Sequence, residues 1–188
     1  DEANNLTVSG GDVDVADAAD IQAISGYDGS ASDYDITDTA ATLISAGDSI
    51  LNKAGVDIVT ASDTSVNASI GGDLAGFTAD IEFDVVDTAD LIAAEVTASG
   101  FGAGGLDEAN NLTVSGGNVD VADAADIQAI SGYNDSASDY DITDNAAALI
   151  SATDSVLNVD GVDTVSVTGG PVDADTGEQL AELSKDVE

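Results

Sequence analysis

Two aspartate-rich segments contain most of the residues in this chain whose types and spacing could do chemistry. One reads D-V-D-V-A-D-A-A-D from Asp12, and the other reads G-Y-D-G-S-A-S-D-Y-D from Gly26. The second places oxygen-bearing side chains at alternate positions, as the first half of an EF-hand loop does, and calcium prefers such hard oxygen ligands. The predicted calcium ligands in the two copies of these segments are Asp12, Asp14, Asp28, Ser30, Ser32, Asp33, Asp35, Asp120, Asn134, Ser136, Asp139 and Asp141.

A structural role for aspartates in the same regions is the alternative. An Asp at a helix N-terminus accepts hydrogen bonds from free backbone amides and opposes the helix dipole. The predicted N-caps are Asp17, Asp38, Asp87, Asp123 and Asp144. The second segment lacks the sixth-position Gly and twelfth-position Glu of an EF-hand, and the Gly pair at Gly10 lacks the second glycine spacing of calcium-binding nonapeptide repeats. Metal binding in the loops and capping at the junctions are therefore both retained as hypotheses.

Side chains suited to acid–base or nucleophilic catalysis are scarce. The chain has no His and no Cys, and Lys53 and Lys185 are its two basic side chains. A nucleophile paired with a His base therefore cannot be built. Paired carboxylates serve glycosidases, but those sites need an aromatic-lined cleft, and the chain has no Trp, four Tyr and three Phe. We predict that the protein is not an enzyme.

The net charge of −36, from 38 acidic and two basic side chains, restricts the possible partners. Such a field repels nucleic acids and anionic lipid headgroups, so we predict no nucleic-acid binding. No apolar run approaches the roughly 18 residues that span a bilayer, so we predict no direct membrane insertion. Unscreened carboxylates repel one another, and folding is expected to depend on salt or divalent metal.

A long internal repeat organises the chain. Residues 1–82 align without a gap with residues 107–188, and about two thirds of the aligned pairs are identical. Residues 1–106 are therefore predicted to be one full repeat unit and residues 107–188 a truncated second copy, together forming one continuous structure. The glycine-rich segment Ser99–Asn111 is predicted to be a flexible joint between them.

A shorter module recurs inside each unit, with an extended run, an Asp and a helix-forming run. Around Asp38, Tyr34 and Ile36 alternate with polar residues as in a half-buried strand, while Ala40 and Leu43 have helical spacing. Because two-turn helices are marginal alone, the modules must stack on one another. The predicted fold class is α/β, a right-handed β-α solenoid of short strands and two-turn helices. The alternative is a row of tandem all-β sandwich domains, each the length of one unit.

Three motifs carry a family resemblance. They are V-A-D-A-A-x-I, Y-x-I-x-D-T-A-A-x-L and G-F-T-x-x-I-x-F-x-V-x-D-T-A. Their alternation resembles the tandem repeats of very large bacterial surface proteins, found especially in cyanobacterial and other marine lineages and often secreted by type I machinery. The resemblance covers nearly the whole chain and implies an extracellular array of β-α coils without a defined activity.

We therefore predict a non-enzymatic structural segment of an extracellular, cell-surface, filament or surface-layer protein, with stabilisation by calcium as a hypothesis that comes from the aspartate-rich loops. A ligand-binding adhesin module that recognises a sugar or a partner protein is the alternative. The ends of a stack of coils expose unpaired strand edges and uncapped core. We therefore predict that the protein associates with itself end to end, or with further repeats of a parent chain.

Overall fold

Short strands and short helices alternate along the chain in the computed structural model, which describes residues 5–100, 105–152 and 154–188. The strands are β1 (Ser9–Val13), β2 (Asp33–Asp38), β3 (Val56–Ala61), β4 (Ile81–Glu82), β5 (Asp84–Asp87), β6 (Asn111–Val119), β7 (Asp139–Asn145) and β8 (Val162–Thr168). The helices are α1 (Val15–Ala23), α2 (Ala40–Ala46), α3 (Asp48–Leu51), α4 (Ala68–Ala75), α5 (Ala89–Ser99), α6 (Val121–Ala129), α7 (Ala146–Ser151), α8 (Asp154–Leu157) and α9 (Ala174–Ala181).

The strands form two parallel four-stranded sheets, in the orders β1-β2-β3-β4 and β5-β6-β7-β8. In each sheet a strand pairs with the strands before and after it in the sequence, as when Ile36 pairs with Val13 on one side and Val59 on the other. Most connections contain at least one helix, which is how parallel neighbours are usually joined. The α/β class is thereby confirmed, and the all-β sandwich alternative is wrong because the Ala-rich and Leu-rich runs after the strands are helical.

The second module of the first copy shows why these residues form these elements. Tyr34 and Ile36 of β2 are buried and alternate with more exposed residues, while Ala40 and Leu43 of α2 are buried on one helix face. Gly47 ends α2 with a φ of 68°, a positive value that glycine adopts without strain because it has no Cβ. Among the described residues the buried core contains no charged side chain, so the acidic residues lie at or near the surface.

The two repeat copies share a sheet. Strand β5 of the first copy pairs in parallel with β6 of the second, so that Val85 lies opposite Leu112. Val85 also forms a parallel bridge with Val66, which precedes α4. A side chain at Gly71 of α4 would bring its Cβ to 2.8 Å from a methyl carbon of Val85. Val85 of the second sheet therefore packs directly against the backbone of α4.

The joint predicted at Ser99–Asn111 includes residues 101–104, which lie outside the described residues. In the described part of this segment, α5 ends at Ser99, and Leu106 and Ala109 are buried in the shared core. No helix in the described ranges is long and apolar enough to cross a bilayer.

Candidate functional site

Aspartate carboxylates near the ends of strands join neighbouring coils. A coil here means one strand with the helix or helices that follow it, and β4 and β5, which are separated only by Phe83, count as one strand. Asp38, the last residue of β2, accepts hydrogen bonds from the backbone N–H of Thr39 at 2.7 Å and from that of Val15 at 3.2 Å. Val15 is the first residue of α1, in the preceding coil. One carboxylate therefore stabilises the helix entry of its own coil and that of the coil before it.

The same contact recurs along the chain. Asp87 accepts from the N–H of Thr88 at 2.9 Å and from that of Ala68 at 3.0 Å. Asp144 accepts from the N–H groups of Asn145 and Val121, at 2.6 and 3.3 Å, and Asp63 accepts from that of Ala40 at 2.6 Å. We call Asp38, Asp63, Asp87 and Asp144 the aspartate row. Three of its four contacts between coils link residues 23 positions apart.

The predicted N-caps are displaced from the true ones. The residues at the N-cap positions of α1, α2, α5, α6 and α7 are Asp14, Thr39, Thr88, Asp120 and Asn145. Asp38, Asp87 and Asp144 each precede the N-cap residue by one position. Each accepts a hydrogen bond from a backbone N–H of the preceding coil. Asp17 and Asp123 lie in the first turns of their helices, where their charge still opposes the helix dipole.

The predicted calcium ligands of the first copy are distributed over several local contacts. Asp14 caps α1 by accepting from the N–H of Asp17 at 2.8 Å. Asp28 accepts from the N–H and the hydroxyl of Ser30, at 3.1 and 2.6 Å. The hydroxyl of Ser32 donates to the carbonyl oxygen of Asp28 and accepts from the N–H of Val8. These oxygens stabilise backbone turns and the contact between the first two coils.

The remaining first-copy ligands lie on strands. Asp35 accepts from the N–H of Ile58 in the next coil at 3.2 Å. Asp12 lies opposite Asp35 in the parallel register of β1 and β2, and Asp33, at the start of β2, lies opposite Ser9. Asp12 and Asp33 are both exposed.

The second copy repeats most of this arrangement. Asp120 caps α6, Asn134 accepts from the hydroxyl of Ser136 at 3.0 Å, and Asp141 accepts from the N–H and hydroxyl of Thr164 at 3.1 and 2.5 Å. Asp139 is exposed at the start of β7. Among the described residues no group of three or more His, Cys, Asp or Glu side chains is placed to hold a metal ion. Calcium binding by these loops stays a prediction.

A glutamine–tyrosine contact is a structural feature that the sequence reasoning missed. The Gln22 amide donates to the Tyr34 hydroxyl at 2.9 Å and to the carbonyl oxygen of Ile50 at 3.0 Å. Gln128 makes the corresponding contacts in the second copy, with the Tyr140 hydroxyl at 2.7 Å and a carbonyl oxygen at 2.9 Å. The signal available in the sequence was the identity of this Gln and Tyr in both copies.

Local hydrogen bonds lower the pKa of two aspartates in turns, the half-buried Asp28 and the exposed Asp173. The hydroxyl of Ser30 holds the pKa of Asp28 below its ordinary value of 3.8, and the backbone N–H of Thr176 does the same for Asp173. A carboxyl group with a lowered pKa in the folded state contributes stability above its unfolded pKa and loses that contribution as the pH falls. These two turns are therefore expected to weaken in acid.

Asp123 behaves in the opposite way, and we expect Asp123→Asn to stabilise the protein at pH 7. Burial, followed by the charges of Asp120 and Asp126, raises the pKa of Asp123. A raised pKa means that the contribution of this carboxyl to stability is greatest below its unfolded pKa and is lost as the pH rises through its folded pKa. The gain should stay below about 1 kcal/mol because the side chain is partly solvated.

Thermal melting at pH 7 and pH 3 checks this expectation. Asp123→Asn should melt higher than the parent at pH 7 and about equally at pH 3, where the parent carboxyl is protonated. Asp17→Asn is the matched control, because Asp17 has the equivalent place in α1 and is exposed. Equal effects of the two substitutions would contradict the expectation.

Comparison with known proteins adds no site residues. No protein-family model matches the chain, and neither a curated protein nor a solved structure shows significant similarity to it. The aspartate row, the shared core and the internal repeat are therefore the features from which function must be inferred.

Proposed function

We propose that the protein is a non-enzymatic structural segment whose β-α coils stack as a right-handed solenoid and serve as a spacer in a cell-surface, filament or surface-layer protein. The observation that carries this proposal is the aspartate row, in which a carboxylate of one coil binds the helix entry of the coil before it. Contacts that repeat between nearest neighbours are how solenoid proteins gain stability. Such contacts suit a protein that serves as a spacer of fixed length and does not bind a substrate.

The distribution of polar and apolar side chains supports the same proposal. Among the described residues the core is apolar and the acidic side chains lie outside it. A dense negative surface keeps neighbouring filaments apart and soluble. The extracellular location is proposed from the resemblance of the repeat motifs to those of bacterial surface proteins.

The alternative, a ligand-binding adhesin module, has less support. A sugar site is typically built around an exposed aromatic side chain with polar groups beside it. In the described ranges the large apolar side chains that are exposed are all aliphatic, and they lie on different elements or loops: Ile24, Ile58, Val86, Leu91 and Val172.

The solenoid proposal predicts how molecular length grows with repeat number. Each unit contributes about four coils, and neighbouring strands are about 4.8 Å apart, so one unit should add roughly 19 Å. Small-angle X-ray scattering of proteins carrying one or two extra copies of residues 1–106 ahead of the full chain measures this length. We expect the maximum dimension to rise linearly while the cross-sectional radius stays constant. Growth of the cross-section with each added unit would refute the stacked arrangement.

Calcium stabilisation is tested separately by thermal melting in low salt, with chelator, with millimolar calcium, and with monovalent salt of matched ionic strength. A rise in melting temperature with calcium alone would indicate specific sites in the aspartate-rich loops. Equal rises with both salts would mean that the cations act by screening. The aspartates would then serve as caps, contacts between coils and a solvated surface.

A further inference from the structure

The outer face of the last described coil, formed by β8, α9 and the segment after α9, has a shallow groove lined by apolar side chains and by the polar residues Lys185, Asp186 and Glu188. The groove has a volume of about 680 Å³. Val172, which is 42% exposed, lies on it. We call it the open face, and its apolar lining includes Val167, Pro171, Val172, Leu180, Leu183 and Val187.

The internal repeat identifies what covers the equivalent face in the first copy. Val172 corresponds to Val66 and Leu180 to Leu74 in the gapless alignment of the two copies. Val66 is 6% exposed and Leu74 is fully buried. They are covered because β5 and α5, within residues 83–100, follow in the next coil and pack on this face. The first copy is thus an intramolecular example of an occupied face.

Three hydrogen bonds define how that occupant is held. The N–H of Val66 donates to the carbonyl oxygen of Asp84 at 2.8 Å, and the N–H of Val86 donates to the carbonyl oxygen of Val66 at 2.9 Å. The N–H of Ala68 donates to the Asp87 carboxylate at 3.0 Å. The occupant therefore adds a short parallel strand and supplies one member of the aspartate row.

The second copy keeps the residues that this mode of binding needs, although many polar residues around them differ. Five residues are identical in type to their first-copy counterparts: Val172, Ala174, Gly177, Leu180 and Ala181. The glycine matters most, because its counterpart Gly71 lies against a methyl carbon of Val85. Among the described residues, the N–H groups of Val172 and Ala174 have no hydrogen-bond acceptor. Their counterparts, Val66 and Ala68, are the donors that hold the occupant in the first copy.

We infer that the open face is a docking surface for a β-α module with the chemistry of residues 83–100, F-x-V-x-D-T-A-x-x-I-A. Its strand pairs in parallel with the backbone at Val172, its first Val fills the recess at Gly177, and its Asp accepts from the N–H of Ala174. This inference deepens the proposed function and rests on it, because it names the partner that continues the stack.

Charge gives this docking a distinctive salt dependence. The module carries four acidic side chains, Asp84, Asp87, Asp90 and Glu95, and the chain that receives it has a net charge of −36. Like charges repel until salt screens them. Docking should therefore tighten as monovalent salt is raised, whereas association driven by opposite charges would weaken.

The test adds residues 83–106 after Glu188 of the full chain, so that the module is present at high effective concentration. Hydrogen exchange in 0.05 M and about 0.5 M NaCl should show protection of the added strand and of the Val172 amide, and the protection should be greater at the higher salt concentration. Val172→Asp should lower the melting temperature of the extended protein by several degrees and leave that of the parent chain almost unchanged. Ile58→Asp is the matched control, since Ile58 is 41% exposed on β3.

Each other result overturns the inference. Unprotected added residues, or equal effects of Val172→Asp in the parent and extended proteins, would show that the module does not occupy the open face. A concentration-dependent dimer of the parent chain in sedimentation, abolished by Val172→Asp, would show that a second copy covers the face instead. Scattering from the parent chain separates these failures from failure of the proposed function, because a rod with an unoccupied face would leave the structural role intact.

Discussion

Val85→Asp is expected to unfold the contact between the two repeat copies, where β5 pairs with β6, whereas Val86→Asp is expected to leave this contact folded. Val85 is fully buried and lies between Val66 on one side and Leu112 on the other. A carboxylate placed there would be buried among apolar groups without a partner. Such a change costs several kcal/mol, roughly 3 to 5, even after local relaxation.

Val86 is a close control because it is the next residue of the same strand and is 40% exposed. Val86→Asp and Val85→Asp each add one negative charge to the chain, so the two variants have the same overall charge repulsion. Urea unfolding followed by circular dichroism should show a much lower midpoint for Val85→Asp. Hydrogen exchange should show loss of protection first in β5 and β6. Similar midpoints for the two variants would mean that β5 does not hold the copies together.

The alternation of side chains within each module was predictable from the sequence. The pattern predicts Tyr34 and Ile36 on the buried face of a strand and Leu43 on the apolar face of a helix, and all three are buried. These predictions depend only on the periods of strands and helices, which are properties of neighbouring residues. The same reasoning predicts the α/β class, and the all-β alternative is excluded by the helices that the structure places after the strands.

The contacts between coils could not be predicted in this way. The sequence pattern predicts Asp38 as the cap of the helix directly after it, but the cap of that helix is Thr39, and the second partner of Asp38 is Val15, 23 positions earlier. A hydrogen bond between residues so far apart in the sequence depends on how many residues each coil contains. That number follows from the register of the paired strands. The recurrence of Asp near the ends of predicted strands is the only feature of the sequence that points to these contacts between coils.

The chain also shows how a strongly acidic sequence can fold when its only basic side chains are two lysines. Most of its carboxylates cannot be paired with basic side chains, and many accept hydrogen bonds from backbone N–H groups instead, as Asp35, Asp48 and Asp141 do. Backbone donors at helix entries and turns carry partial positive charge. The aspartates are thereby used as structural acceptors, and each member of the aspartate row offsets part of the repulsion that it creates.

The aspartate row leads to a second large expected effect, from Asp38→Ala. Removal of this carboxylate leaves the N–H groups of Val15 and Thr39 without the acceptor they have in the folded protein. The Val15 amide is partly buried, and losing the acceptor of such an amide typically costs about 1–3 kcal/mol, with bonds to a charged acceptor at the upper end. The Thr39 amide is exposed and can bond to water instead. Asp144→Ala should have a similar effect, because Asp144 holds the same place in the second copy.

Asp33→Ala is the control for both variants. Asp33 is exposed at the start of the same strand, and its replacement removes the same single charge, so any gain from lowered repulsion is shared. Urea unfolding should place Asp38→Ala well below Asp33→Ala, and hydrogen exchange should be faster at the Val15 amide in Asp38→Ala alone. Because relief of charge repulsion is the same in both variants, equal stability of Asp33→Ala and Asp38→Ala would mean that the contact of Asp38 with the preceding coil does not stabilise the protein.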